Sequence, residues 1–330
     1  MRYLELDGVK LSVVGLGCWQ FGERGWGYGQ EFGPKDSLAI IRRALELGVT
    51  VLDTAELYGW GASEGLVGAA IQDWDEPIFL ASKFLPLMPV PGVMEAHCRR
   101  SLERLDRTAL DLYQVHFPNP LVPLWVQMDG LRRVLKEGLS RHVGVSNFSL
   151  SRWRRAERLL GSPIISNQVR YNLLQRKPEQ GLIDFASRTS HLIIAYSPLA
   201  QGALSGRYRK GEVPAGVRKN NPLFTDEGLA AAEPVVESLR EVAAAHGATP
   251  SQIALAYLIA QPRVLVIPGA KSIAQLEANV AAAEIRLAPE EILALRRAAD
   301  LFQMSKGRMA AQMLGGFLRQ GEPTTAERRR

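Results

Sequence analysis

Four residues with complementary proton chemistry lie at or just after the ends of short apolar runs. Asp53 and Tyr58 follow one run, and Lys83 and His116 end two others. Tyrosine has a pKa of about 10 in solution, so near neutrality it is a poor acid or base without help. A nearby lysine ammonium lowers that pKa, a carboxylate keeps the lysine charged, and a neutral imidazole can orient a carbonyl oxygen beside the phenol. Together these side chains can polarise and protonate a carbonyl that accepts a hydride.

The elements that must position these residues alternate along the chain. Eight short runs rich in Val, Ile and Leu are separated by amphipathic stretches whose apolar residues recur three and four apart, as at 37–47 and 91–105. The runs are 12–16, 50–53, 78–83, 110–116, 142–146, 164–168, 192–196 and 264–268. Eight strands alternating with helices predict an α/β protein with a (β/α)8 TIM barrel, whose active site lies at the C-terminal ends of the strands. A doubly wound open sheet is the alternative, but no Gly-x-Gly-x-x-Gly follows a strand.

Several features outside the barrel strands are also predicted. Residues 4–11 form a hairpin that turns at Asp7-Gly8 and can close the bottom of the barrel. A loop-like segment, 199–230, leaves the catalytic face and is expected to be functional or mobile. Thr249, Pro250 and Gln252 predict a helix start with a capping box.

The domain prediction is one barrel domain over residues 1–300, hairpin included, followed by a C-terminal extension, 301–330. The extension is basic, with six basic residues against two acidic ones, and is expected to be partly disordered. Its apolar residues suggest one more short helix lying across the barrel: Met304, Met309, Met313, Leu314, Phe317 and Leu318.

Composition excludes several classes of protein. Of 330 residues, 46% are hydrophobic and 22% charged, which is typical of a soluble globular protein. No run approaches the roughly 18 apolar residues of a membrane span, and the first residues lack the order of a secretory signal. Two cysteines and five dispersed histidines indicate neither a disulfide framework nor a metal site, so a cytoplasmic location is expected. The net charge of +6 lies mostly in the extension, which favours a solvated tail over an anionic or nucleic-acid partner.

The sequence resembles the aldo-keto reductase superfamily. Asp53, Tyr58, Lys83 and His116 match, in order, the Asp-Tyr-Lys-His tetrad of that family. The resemblance extends from about residue 15 to 301 and includes the segments 15–17, 144–148, 167–169, 196–199 and 267–271. It implies a TIM barrel that holds extended NADP(H) across its mouth without a Rossmann fold.

The resemblance also implies which residues hold the cofactor. The nicotinamide carboxamide would bind Ser146, Asn147 and Gln168, and its ring would stack on Tyr196. The pyrophosphate would be lined by Ser197, Leu199 and Gly202. The adenosine 2′-phosphate and the adenine would meet Lys271, Ser272, Gln275 and Asn279.

Some of the residues assigned to the cofactor also have a purely structural interpretation, and one of them affects the expected preference for NADPH. Ser272 to Gln275 also reads as a capping box, and Ser146 with Asn147 as a polar turn between a strand and a helix. Gln275 occupies the region where an arginine commonly clamps the 2′-phosphate, so Lys271 provides a point charge in place of a bidentate fork. NADPH is therefore expected to be preferred over NADH only moderately.

Three aromatic residues are candidates for the wall of the substrate pocket. Trp19 and Trp60 follow the first and second strands, and Phe117 follows His116. Packing into the core is the alternative role for all three. Pocket walls in barrels of this kind are built by loops, so the substrate itself cannot be derived from the sequence.

The predicted function is NADPH-dependent reduction of aldehydes or ketones to alcohols, with Tyr58 as general acid and a small-molecule carbonyl as substrate. The motifs are most similar to the bacterial general-stress and potassium-channel-β-like branch of the superfamily. That branch supplies the alternative: a cofactor-binding regulatory subunit with slow turnover, whose basic tail contacts a partner. The oligomeric state is not predicted.

Overall fold

The chain begins with an antiparallel hairpin that turns at the predicted Asp-Gly pair. Strand β1 (Tyr3–Leu6) pairs with β2 (Val9–Ser12). Asp7 and Gly8 both have positive φ, 46° and 79°, as a type I′ hairpin turn requires. This computed structural model describes residues 1–209, 211, 214 and 216–304.

Eight parallel strands follow, and each pairs with the next one along the chain. In order they are β3 (Leu16–Gly17), β4 (Val51–Asp53), β5 (Phe79–Phe84), β6 (Leu110–Val115), β7 (Ser140–Ser146), β8 (Ser166–Arg170), β9 (Leu192–Tyr196) and β10 (Val264–Val266). The amide of Gly15 donates to the carbonyl of Val266 at 2.8 Å, and the amide of Gly17 to that of Pro268 at 3.1 Å. These bonds join the last strand to the first, and the predicted (β/α)8 barrel is confirmed.

Helices cover the outside of the barrel. Within the described residues they are α1 (Pro34–Glu46), α2 (Ala62–Ile71), α3 (Pro91–Leu105), α4 (Leu124–Lys136), α5 (Leu150–Leu160), α6 (Leu182–Arg188), α7 (Asp226–His246), α8 (Pro250–Ile259), α9 (Ile273–Ala281) and α10 (Pro289–Asp300). The predicted start of α8 is confirmed, because Thr249 accepts from the amide of Gln252 and the Gln252 side chain reaches back. Among the described residues, no helix has the length and apolar character needed to cross a bilayer.

The inside of the barrel is a separate apolar cluster from the core beneath the helices. It contains inward-facing residues of the strands: Val51, Phe79, Ala81, Leu112, Ile165, Leu192, Ile194, Leu265 and Ile267. Leu6 and Leu11 of the hairpin belong to the same cluster and are buried. The hairpin therefore packs against the barrel interior, as predicted.

The first predicted strand, 12–16, is wrong in its bounds. Ser12 ends the hairpin strand β2, and the barrel strand β3 begins at Leu16. Residues 11–18 are buried without interruption, so the apolar pattern of the sequence does not show where one strand ends and the next begins.

The described parts of the segment after β9 contain regular turns that its glycine content does not predict. Short 3₁₀ turns occupy 200–205, 216–220 and 222–224. Helix α7 then begins at Asp226, because Thr225 accepts from the amide of Gly228 and caps the helix. The expected helix and basic tail of the C-terminal extension lie beyond residue 304, outside the described residues.

Candidate active site

The four residues with proton chemistry meet at the C-terminal ends of three adjacent strands. Asp53 is the last residue of β4 and Tyr58 lies in the loop after it. Lys83 lies near the end of β5, and His116 directly follows β6. Parallel strands end at the same edge of a barrel, so side chains far apart in sequence converge there.

Lys83 is the centre of this arrangement and is completely buried. Its Nζ donates to Oδ1 of Asp53 at 2.5 Å, to the backbone oxygen of Thr54 at 2.7 Å and to the hydroxyl of Tyr58 at 3.1 Å. An ammonium group has three donors, and each one has an acceptor. The Lys83 charge is therefore fully satisfied and aimed at the phenol.

The ionisation of Tyr58 differs from the sequence-based prediction. Lys83 acts to lower the pKa of Tyr58, as predicted, but burial has the larger effect and raises that pKa to about 12. Burial alone would lower the pKa of Lys83, yet the charge of Asp53 and the hydrogen bonds of the site raise it. The site at neutral pH thus contains a protonated phenol beside an ammonium.

His116 lies beside the phenol as a neutral imidazole. The ring centroids of Tyr58 and His116 are 5.6 Å apart with the rings nearly perpendicular. Burial, with a smaller contribution from the charge of Lys83, holds the pKa of His116 well below 6.5. Its Nδ1 is buried and has no hydrogen-bond partner among the described residues.

A chain of hydrogen bonds joins Asp53, and through it Lys83 and Tyr58, to the residues predicted to bind the nicotinamide. Nε2 of Gln168 donates to Oδ2 of Asp53 at 2.7 Å. The backbone oxygen of Gln168 accepts from Ser146 at 2.8 Å, and Ser146 accepts from Asn147 at 3.0 Å. The hydroxyl of Tyr196 donates to Oδ1 of Asn147 at 3.0 Å. The structure thus brings these residues into one polar network at the mouth.

The residues predicted to line a pyrophosphate follow β9 in an unusual backbone conformation. Ser197 and Gly202 have φ of 49° and 101°, and Ala200 and Gln201 between them also have positive φ. Leu199 is partly buried and packs against the core. Repeated positive φ turns the chain tightly over the mouth beyond Tyr196.

The residues predicted at the adenosine end form a second group around the start of α9. Ser272 caps α9, and Gln275 accepts from the amide of Lys271 at 2.9 Å. The amide of Asn279 donates to the backbone oxygen of Gly269 at 3.3 Å. The Nζ of Lys271 binds the backbone oxygen of Trp26 at 3.2 Å and the carboxylate of Glu31. Ser272 thus caps the helix, but the capping box given as the structural alternative is only half formed, because the Gln275 side chain accepts from Lys271 and not from Ser272.

The three aromatic candidates differ in their placement. The ring of Trp19 lies 6.2 Å from that of Tyr58, and the ring of Phe117 lies 5.9 Å from that of His116. Trp60 is 71% exposed. Trp19 therefore lies beside Tyr58 and Phe117 beside His116, whereas Trp60 projects from the loop after β4 into solvent.

Two residues of the site were missed by the sequence analysis. Gln114, inside the apolar strand β6, donates to Oδ2 of Asp53 at 3.4 Å. Glu56, between Asp53 and Tyr58, accepts from the amide of Leu85 at 2.5 Å. An amide near the C-terminal end of a mostly apolar strand was the available signal for Gln114, and no local pattern pointed to Glu56.

The arrangement can donate a proton to an oxygen placed beside the Tyr58 hydroxyl and stabilise the resulting negative charge. Neither cysteine is in a disulfide, and both are buried. No cluster of potential metal ligands occurs within the described part of the chain. Proton transfer supported by a buried cation is thus the chemistry that the geometry offers.

Comparisons with known proteins show which proteins the chain as a whole is similar to. The chain is 46% identical over 316 residues to the uncharacterized oxidoreductase Rv2298 of Mycobacterium tuberculosis, covering 95% of this chain and 98% of the relative. The thermostable aldo-keto reductase Tm1743, solved with the inhibitor epalrestat, superposes with a TM-score of 0.76 and 33% identity over 90% of this chain and all of that one. An aldo/keto reductase of Klebsiella pneumoniae, solved with NADP and acetate, gives a TM-score of 0.72 and 30% identity over 92% of this chain and 96% of that one.

A model of the aldo/keto reductase family matches residues 13–300. That range contains all eight barrel strands and the four residues Asp53, Tyr58, Lys83 and His116. The resemblance noted from the motifs is thereby confirmed across most of the chain. The chain belongs to the aldo/keto reductase family, and the relative from Mycobacterium tuberculosis that it matches is named an oxidoreductase.

Proposed function

We propose that this protein reduces aldehydes or ketones to alcohols with NADPH, and that Tyr58 supplies the proton. The observation that carries the proposal is the hydrogen bond of 3.1 Å between the buried Lys83 ammonium and the Tyr58 hydroxyl. An ammonium at that distance stabilises the phenolate that remains after the proton has left. The structure of a relative with bound NADP supports the choice of cofactor.

Each side chain of the site has a separate task in this reaction. The pKa of about 12 keeps Tyr58 protonated at neutral pH, so the phenol is ready to act as an acid. Asp53 holds Lys83 in place and balances its charge. His116 is neutral, so its ring can donate to the carbonyl oxygen without placing a second positive charge beside Lys83.

The donor and acceptor chemistry around the mouth fits a nicotinamide cofactor. Asn147 is exposed, the ring of Tyr196 is partly exposed, and none of the described residues donates to Oε1 of Gln168. These groups suit a planar ring that carries a carboxamide, which needs both donors and acceptors. When bound, the cofactor would supply or accept the hydride.

The preference for NADPH over NADH is proposed to be moderate. Lys271 lies just before α9, where a cation and the positive end of the helix favour an anion. Its Nζ is, however, already paired with Glu31. A 2′-phosphate would have to share or displace that contact, which reduces its net gain in binding free energy.

The direct test measures NADPH oxidation with a panel of reactive aldehydes, and the same reactions with NADH. The wild type is compared with Tyr58→Phe and with Tyr3→Phe. The second variant is a control, because the hydroxyl of Tyr3 donates to the backbone oxygen of Gly48 in the loop after α1. We expect Tyr58→Phe to lose about 10²- to 10⁴-fold in kcat while NADPH still quenches tryptophan fluorescence. Tyr3→Phe should remain as active as the wild type.

The same experiment separates the two candidate functions. Tight NADPH binding without reduction of any carbonyl would reject the reductase and favour the regulatory subunit. Equal activity of Tyr58→Phe and the wild type would keep the enzyme but remove Tyr58 as the acid. The small-molecule substrate and the cytoplasmic location remain predictions from the family and the sequence.

A further inference from the structure

Glu56 lies on the loop between Asp53 and Tyr58 and has two strong hydrogen bonds of its own. Its Oε1 accepts from the backbone amide of Leu85 at 2.5 Å. Its Oε2 lies 2.7 Å from Nδ1 of His97 on α3. The carboxylate is 11% exposed, so little water competes for either bond. Hydrogen bonds to a charged acceptor are about twice as strong as those between neutral groups.

These bonds connect the segment that carries Tyr58 to the segment that carries Lys83. Glu56 precedes Tyr58 by two residues, and Leu85 follows Lys83 by two residues, just beyond the end of β5. The start of the loop is held separately, because the amide of Thr54 donates to Ala81 at 2.9 Å. Glu56 is thus a second attachment of this loop to β5, and it is the one nearer to Tyr58.

His97 holds the carboxylate from the other side. Its ring packs edge-on against Phe84, the last residue of β5, with ring centroids 5.2 Å apart. Glu56 is therefore fixed between the backbone amide of Leu85, just after β5, and a side chain of α3 that itself contacts β5. A carboxylate held at both oxygens has little freedom to let the loop shift.

We propose that Glu56 is a positioning residue, whose two hydrogen bonds set the distance between the Tyr58 hydroxyl and Lys83 Nζ. The inference rests on the proposed reductase function and adds a residue to it. Glu56 does not touch the reacting atoms but acts through the loop that carries Tyr58. A displacement of about 1 Å in a catalytic group can cost about 100-fold in rate, so a loop attachment at this point affects catalysis directly.

The chain contains a matched control for this contact. Oε1 of Glu157, on α5, accepts from the backbone amide of Ile164 at 3.1 Å and lies 2.7 Å from Nε2 of His191. This is the same combination of carboxylate, backbone amide and histidine. It joins α5 to the chain before β8 and β9, at the N-terminal ends of those strands and away from the mouth.

The experiment compares Glu56→Ala, Glu56→Gln and Glu157→Ala with the wild type. We expect Glu56→Ala to lower kcat about 10- to 100-fold, with KM for the aldehyde and the NADPH affinity unchanged. Glu56→Gln keeps an oxygen for the Leu85 amide and should recover most of the rate. Glu157→Ala should lose stability to urea without losing kcat.

A second readout needs no cofactor and no substrate. The phenolate absorbance of each protein is followed as the pH is raised. Subtraction of the absorbance of the same protein with Tyr58→Phe leaves the contribution of Tyr58. In Glu56→Ala its midpoint should shift from that of the wild type, because both the burial of the phenol, which raises its pKa, and the distance to Lys83, which acts to lower it, depend on the position of the loop. Glu157→Ala should titrate like the wild type.

The outcomes separate this inference from the proposed function. If Glu56→Ala loses stability but keeps both kcat and the Tyr58 titration, Glu56 only stabilises the loop and the inference is wrong. If the wild type reduces no carbonyl, the proposed function fails. The titration then decides alone: a shift in Glu56→Ala upholds the positioning role, and no shift overturns it.

Discussion

Lys83 and Asp53 form an ion pair inside the mouth of the barrel, with Nζ 2.5 Å from Oδ1 and both side chains almost inaccessible to water. Removal of one partner from a buried pair leaves an uncompensated charge and costs about 3–5 kcal/mol. We therefore expect Asp53→Ala to lower the free energy of unfolding by about that amount, measured by urea denaturation. Asp129→Ala, which breaks an exposed pair with Arg132 on α4, should cost at most about 1 kcal/mol. Equal losses in the free energy of unfolding for the two variants would contradict the expectation that burial makes the Lys83–Asp53 pair more costly to break.

The rate of carbonyl reduction should depend little on pH over a wide range. The proposed reaction needs a protonated Tyr58, whose pKa of about 12 keeps it protonated well above neutrality. It also needs a neutral His116, whose pKa well below 6.5 keeps it neutral in mild acid. A stopped-flow profile of kcat should therefore show no step at the pH where a free histidine titrates, and should fall only in strong alkali. A step near neutrality would mean that His116 is more hydrated than the structure indicates.

Glu31 should reduce the affinity for NADPH more than that for NADH. Its carboxylate pairs with Lys271, which we propose to bind the 2′-phosphate, and an exposed pair is worth up to about 1 kcal/mol. We expect Glu31→Gln to bind NADPH about two- to five-fold more tightly, with NADH unchanged, in a fluorescence titration. Glu46→Gln, which removes a carboxylate that pairs with Arg43 within α1, is the control. If Glu31→Gln increased the affinity for NADPH and for NADH equally, the carboxylate would not act through the 2′-phosphate.

Gly17 should not tolerate a side chain. A Cβ at this position would lie 2.5 Å from the backbone oxygen of Ile267, at the seam where β3 meets the last strand. We expect Gly17→Ala to lower the unfolding midpoint, because backbone must move to relieve the contact, at a cost of about 1–3 kcal/mol. Gly65→Ala on α2 has open space around it and should be stabilising by about 0.5–1 kcal/mol. Calorimetry of the two variants measures both effects.

The parts of the site that the sequence predicts are those fixed by strand ends. Asp53, Lys83 and His116 each follow or end a distinct apolar run, and parallel strands must present those ends together. Their convergence therefore needs no knowledge of loop shape. The exact start of β3 could not be predicted, because burial is continuous from Leu11 to Cys18 and the hairpin and barrel strands share one apolar stretch.

Other properties depend on contacts that only the folded chain creates. The pKa of Tyr58 is controlled by how deeply the surrounding loops bury the phenol, and no residue pattern encodes that depth. The pairing of Glu31 with Lys271 joins positions 240 residues apart. Helix α7 begins earlier than expected because Thr225 caps it, a signal that Gly228 in the first turn obscured.

The hairpin at the start of the chain limits the routes by which a proton could return to Tyr58. Leu6 and Leu11 pack into the apolar interior together with strand residues such as Phe79 and Leu112. In the proposed reaction, the carbonyl compound and the alcohol would therefore enter and leave at the opposite end, where the strands end beside Tyr58. A substrate bound there would lie between the phenol and solvent. The return of a proton to Tyr58 would then be coupled to the release of the product.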